Sequence, residues 1–300
     1  MAGQGDSNRA ILFALGANFT IFLTKGVAAF ITGSGAMLAE TVHSLADCGN
    51  QLLLLLGMRQ AQTPPSPDYP LGYGKAIYFW SFLVAVMLFS VGGMFSVYEG
   101  IHKLQHPEPL RQWWWAVGVL VVSIIAEAIS MRACLVEVAK SRGSRNLVRW
   151  FRESRQAELI VIFGEDLAAL IGLVLALLAI LLAVITGNPA WDAIGTLLIG
   201  LLLIVVAIFI AIEVKAMLIG QSADPEVTVE IKRFFEERTE IARIFNLITL
   251  QLGNDLMVAV KVQLQRGGLP AEDAINRVEA DLKQRFPQVK WSFVEPDHAD

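Results

Sequence analysis

The chain reads as an α-helical membrane bundle of six transmembrane helices followed by a small α+β domain. Three observations predict this class. Hydrophobic residues make up 55% of its 300 residues and charged residues only 17%, against about 25% charged in a soluble domain. Apolar runs of about 18 or more residues recur along the first 220 positions. After Gly220 the long runs stop, and short amphipathic and alternating segments replace them.

Six spans are expected, over 10–31, 35–58, 77–99, 113–138, 159–186 and 191–219. Together they form a membrane domain over 1–219. The first run is long and ends without a small-residue cleavage site, so it is expected to serve as its own insertion signal. Very tight breaks at Thr32–Gly35 and Gly187-Asn188-Pro189 imply antiparallel helix pairs. Trp113, Trp114 and Trp115 stand where an interfacial aromatic belt belongs. The link between spans four and five holds Lys140, Arg142, Arg145, Arg149, Arg152 and Arg155, and the link between spans two and three adds Arg59 and Lys75. Only Lys103 and Arg111 lie in the links on the other side. The positive-inside rule then puts both termini in the cytoplasm, and a bacterial inner membrane is the expected location.

Residues 220–300 are expected to form a cytoplasmic domain. From Pro225 to about Arg238, Val227, Ile231, Phe234 and Phe235 recur at helical spacing. Two alternating stretches flank a Gly253-Asn254-Asp255 turn, the second with Leu256, Val258, Val260, Val262 and Leu264 on one face. Pro270 opens another helix, with Ile275, Val278 and Leu282 on its apolar side. Val289–Val294 is a last short strand. The order αββαβ suggests a two-layer, ferredoxin-like domain.

Charge and cysteine content exclude several classes. Residues 221–300 hold 14 acidic and 10 basic residues, which accounts for the whole net charge of −4. No basic block suits nucleic acid. Cys48 and Cys134 both fall in expected spans, so no disulfide framework is expected. The chain lacks His-Glu-x-x-His and any evident nucleophile with its base, which argues against an enzyme such as an intramembrane metallohydrolase.

The chemistry concentrates in span two. In His43-Ser44-Leu45-Ala46-Asp47 an imidazole and a carboxylate stand four residues apart, on one helix face. Glu40 before them and Asn50 or Gln51 after them extend a continuous polar stripe. Each ionisable group near the bilayer centre costs roughly 2.5–3.5 kcal/mol. Imidazole and carboxylate together suit zinc and related divalent ions, which makes the pair a candidate metal site. The alternative is a packing stripe that hydrogen-bonds to neighbouring helices. Zinc usually takes four ligands, and span five offers Glu165 and Asp166. Adjacent helical residues point about 100° apart. Both carboxylates therefore cannot face the same point equally well; Asp166 is the first choice, with Glu165 a second ligand, a proton carrier or a partner for another helix. Lys25, Glu127 and Asp192 either line a pathway or, by preference, serve structure, and Lys25 either snorkels or pairs with a carboxylate.

These residues carry a family resemblance. The segment from Ser34-Gly35-Ala36-Met37 through Glu40-Thr41-Val42-His43 to Asp47 resembles the second-span signature of the cation diffusion facilitator family. Leu71-Gly72-Tyr73-Gly74-Lys75 looks like the segment before its third span, and Leu218-Ile219-Gly220-Gln221-Ser222-Ala223 like its junction into the cytoplasmic domain. The Glu165-Asp166 pair looks most like a zinc-transporter-like branch with mitochondrial and bacterial members. The resemblance implies a homodimeric divalent-cation/proton antiporter, with zinc the usual cargo and no prosthetic group. His43 and Asp47 match the family's span-two ligands, and Asp166 matches a span-five ligand by its distance from Gly172. The other span-five ligand falls at Ile162, which cannot bind metal, so Glu165, a water or another helix is left to complete the site. Tyr69 stands where many relatives carry His, and the tail is nearly free of histidine, so a metal cluster there is expected to be absent or altered.

The reading that follows is a divalent-metal efflux transporter, a Zn²⁺/H⁺ antiporter working by alternating access. Its expected partners are the metal ion, protons, the lipid bilayer and a second copy of the chain. The runner-up is the same scaffold selective for Fe²⁺, Mn²⁺ or Co²⁺. A reading of another class is a membrane scaffold or metal sensor that moves no ion.

Overall fold

A computed structural model describes residues 4–265 and 269–298. Six long helices come first: α1 (Gln4–Thr32), α2 (Gly35–Ala61), α3 (Ala76–Gln105), α4 (Trp113–Arg142), α6 (Ala157–Thr186) and α7 (Ala190–Ile219), with a short α5 (Leu147–Glu153) between α4 and α6. Four of them, α3, α4, α6 and α7, are each 30 residues long and apolar enough to cross a membrane. At 1.5 Å per residue each runs about 45 Å, longer than the hydrocarbon core of about 30 Å. This is a multi-pass membrane protein. The other two expected spans are helices as well. In α1 the described apolar stretch is the shorter Asn18–Thr32, and α2 has the length, 27 residues, but Glu40, His43, Asp47, Asn50 and Gln51 dilute its hydropathy.

Helix boundaries follow the sequence reading with two departures. The middle of α3, Leu88–Met94, is a π-helical stretch. The arginine-rich link contains α5, whose Asn146 accepts a hydrogen bond from the Arg149 amide. Its seven residues are too few for a hydrophobic period to show.

The outer surface of the helices suits lipid. On α4, Val122, Ile125 and Ile129 are exposed along one face, while Ala116, Leu120, Ser123, Cys134 and Val138 are buried on others. Apolar side chains so displayed need an apolar solvent. Cys48 and Cys134 are both free and buried.

The chain packs as two compact units. The first takes the chain up to Leu56 together with Trp80–Ser144 and Glu158–Glu213. The second takes Gly57–Phe79, Arg145–Ala157 and the chain from Val214 onward.

The second unit holds the expected αββαβ order: α8 (Pro225–Glu236), β1 (Ile241–Leu252), β2 (Asp255–Leu264), α9 (Ala271–Arg285) and β3 (Val289–Pro296). The sheet order is β1-β2-β3, with β1–β2 antiparallel and β2–β3 parallel. Alternate β2 residues Leu256, Val258, Val260 and Val262 pack with Ile231, Phe235, Val278, Leu282 and Phe286. Asp224 caps α8 by accepting from the Glu226 amide, with Pro225 at its first turn. In the same unit, buried Arg145 donates to Asp224 at 2.8 Å, and Arg155 donates to the Ser222 carbonyl at 2.8 Å. The hydrogen bond from Arg149 holds the Glu153 carboxyl below the usual carboxylate range. The β1–β2 turn is pinned by Tyr78, whose hydroxyl accepts from the Gly253 amide at 2.9 Å. Gly253 has φ +68°, and a Cβ on it would stand 2.5 Å from the Gly74 carbonyl oxygen, so only glycine suits this turn.

Candidate metal site in the membrane bundle

The first unit sets the start of α2 with a buried carboxylate. Asp192 of α7 accepts from the Gly35 amide at 2.7 Å and from the Ser34 hydroxyl, and Ser34 Oγ in turn accepts from the Met37 amide at 3.1 Å. A carboxylate at a helix N-terminus satisfies otherwise orphaned amides and opposes the positive end of the dipole. Asp192 therefore acts as a cap, the structural role preferred from sequence. It fixes where α2 begins and hence the face on which the stripe emerges.

Along that stripe Glu40 is fully buried and pairs with Lys25 of α1, Nζ to Oε2 at 3.1 Å. The same ammonium donates to Ser44 Oγ at 2.8 Å. Lys25 thus pairs with a carboxylate and does not snorkel. One turn on, His43 is 1% exposed and Asp47 is half-buried, with Nδ1 and Oδ1 3.6 Å apart. That gap is too long for a hydrogen bond. Both His43 ring nitrogens and Asp47 Oδ1 are buried with no hydrogen-bond partner, as are Asn50 Oδ1 and Gln51 Oε1 further down the stripe. Buried polar atoms are normally satisfied, so a run of open acceptors on one helix marks a face shaped for something else to bind.

The two α6 carboxylates diverge, as adjacent helical residues must. Glu165 is buried and accepts a hydrogen bond from Asn50 of α2. Asp166 is half-buried and accepts from Ser130 of α4 at 3.2 Å. The α6 residue that meets the polar stripe is thus Glu165, while Asp166 faces α4. Ile162 is exposed. Among the described residues, no three of His, Cys, Asp and Glu gather closely enough to hold a metal ion. His43 and Asp47 are brought together, and Glu165 and Asp166 each take a neutral partner instead.

Electrostatics favours a cation here. Asp47, Glu127, Glu165 and Asp166 all lie within the bundle, and the Lys25 ammonium is engaged by Glu40. Carboxylates concentrated in low dielectric need protons or a metal ion to balance them. The partners Asn50 and Ser130 carry different signals in the sequence. Asn50 lies on the stripe, seven residues after His43, whereas nothing distinguishes Ser130 from an ordinary small residue in a span.

The cation efflux transmembrane domain matches residues 11–219. The chain is similar to the mitochondrial proton-coupled zinc antiporter SLC30A9 of Xenopus laevis, 32% identical over 255 residues, covering 84% of this chain and 45% of that protein. It is similar along nearly its whole length to the manganese efflux system protein MneP of Bacillus subtilis, at 22% identity over 95% of this chain and 93% of the relative. The zinc transporter ZitB of Escherichia coli is 24% identical over 87% of this chain and 79% of its own length. The chain thus spans just under half the length of the mitochondrial relatives it matches.

Proposed function

The chain belongs to the cation diffusion facilitator family, and from that premise we propose that it exports a divalent metal cation, Zn²⁺, in exchange for protons. The observation that carries the proposal is the open His43–Asp47 pair inside a membrane-length helix. In this reading His43 and Asp47 take the ion first. Asp166 or Glu165 then leaves Ser130 or Asn50 to complete its shell as the bundle closes. Metal ligands must be deprotonated to bind, so protons and the ion compete for the same groups. A histidine nitrogen that binds the ion cannot hold a proton at the same time, so exchange at His43 couples the two. The inward proton gradient then strips the ion off on the outer side.

Six spans, α1 and α2 joining the four evident ones, form the transport domain over 1–219. Residues 220–300 form a ferredoxin-like cytoplasmic domain. Both termini are cytoplasmic, as the arginine-rich links favour, the membrane is a bacterial inner membrane, and the working unit is a homodimer without a prosthetic group.

A second cargo, Mn²⁺, is favoured by one specific feature. With Ile162 exposed, α6 contributes only carboxylate oxygen, which suits harder ions than zinc. The test is the purified chain in liposomes with a trapped pH dye and an inward-directed metal pulse. Zinc-dependent proton movement in the opposite direction is the expected result. Metal entering the vesicles with no proton flux, or no metal movement at all, defeats the antiport proposal. The larger of the Zn²⁺ and Mn²⁺ rates identifies the cargo.

A further inference from the structure

Glu40 is left over from the ligand set above, and its surroundings are unusual. It lies one turn before His43 and is 0% exposed. Its Oε2 receives the Lys25 ammonium, which reaches Ser44 as well. Its Oε1 is buried and accepts no hydrogen bond. That open oxygen lies against α6 at Gly172, where an added Cβ would stand only 2.7 Å from it. Any larger side chain at Gly172 pushes the carboxylate away. The contact between α2 and α6 therefore contains a charged acceptor with one lone oxygen, on the same stripe as a histidine with two unpartnered nitrogens.

As a mere fastener of α1 to α2 this is a poor device. A buried ion pair is often no better than apolar packing, and a buried acceptor left open costs stability outright. The arrangement makes sense for a carboxylate that changes partner. Lys25 carries three donors on a flexible four-carbon stem, and Ser44 offers it a second resting place. We infer that Glu40 is a further ion-handling residue next to His43, and that Lys25 is a tethered cation that occupies Glu40 until a divalent ion takes Oε1. This deepens the transport proposal and rests on it. With both termini cytoplasmic, Gly35 is at the outer end of α2, so Glu40 lies on the outward side of His43 and serves ion release.

The test replaces the carboxylate with a thiolate and removes the charge pair, as Lys25→Met with Glu40→Cys, against Lys25→Met with Glu40→Ala. The probe is Cd²⁺, which soft thiolate favours over Zn²⁺. Both variants keep Cys48 and Cys134, so the difference between them reports position 40 alone. A cadmium–thiolate absorption band present only in the Glu40→Cys protein is expected, together with a Cd²⁺-to-Zn²⁺ transport ratio raised at least about fivefold over the unaltered chain. Identical spectra overturn the inference. Where the double variants fail to fold, Glu40→Asp alone keeps the ion pair and withdraws the carboxylate by one methylene. Its KM for zinc should rise several-fold, and an unchanged KM overturns the inference equally. The unaltered chain and Asp47→Ala run alongside. No zinc flux from the unaltered chain defeats the transport proposal itself. Flux that Asp47→Ala abolishes, with no cadmium signature at position 40, defeats only the role of Glu40.

Discussion

Helices α2 and α6 hold their candidate ligands in opposite states. On α2, His43, Asp47, Asn50 and Gln51 keep buried acceptors open. On α6, Glu165 and Asp166 are each engaged by a neutral side chain, Asn50 and Ser130. Under the proposed function, one helix is ready to bind and the other must first let go. The difference teaches how a carrier avoids trapping its ion. A site with every ligand free and converged binds tightly and releases slowly, whereas one in which half the ligands must exchange a hydrogen bond binds and releases on comparable terms.

The largest effect expected from breaking this contrast comes from α2. Asp47→Ala should lower zinc transport by more than about 100-fold, beyond the 10- to 100-fold typical of a supporting residue around a metal. Vesicle uptake measures it, and transport within a few-fold of the unaltered chain would remove Asp47 from the site. A smaller effect of opposite sign is expected on α6. Ser130→Ala deletes the competitor for Asp166, a hydrogen bond worth about 0.5–1.5 kcal/mol net. The KM for zinc should therefore fall by about two- to tenfold, and a rise in KM would mean that Ser130 supports the site. Smallest for the ion and plainest for the fold is Asp192→Asn. It weakens the cap that sets the phase of α2 at a cost of about 1 kcal/mol. It should lower the thermal midpoint by a few degrees and leave the preference between Zn²⁺ and Mn²⁺ unchanged.

What the sequence made legible was what a single helix or strand displays by itself. The stripe on α2 shows as steps of three and four, and the β2 face as strict alternation, because side-chain direction follows backbone period. Whatever depends on a second element stayed ambiguous or hidden. Lys25 read equally as a snorkelling or a pairing residue until Glu40 was found 3.1 Å away. Asp166 ranked first on α6, yet it is Glu165 that reaches the stripe through Asn50, because relative helix rotation is set by packing and leaves no periodic trace. The π-helical stretch Leu88–Met94 was invisible for a related reason. Its residues are as apolar as the helix around them, and a widened turn changes hydrogen-bond register without changing hydropathy.

The claim beneath all of this is that the open face of α2 and the carboxylates of α6 converge on one passing ion. A structure of the full chain solved with zinc tests it most directly. The account expects the ion bound by a His43 nitrogen and by Asp47 at about 2.0–2.2 Å, with Asp166 or Glu165 released from its serine or asparagine to join them. Zinc bound elsewhere, with His43 still unpartnered and both α6 carboxylates still on Ser130 and Asn50, would contradict it.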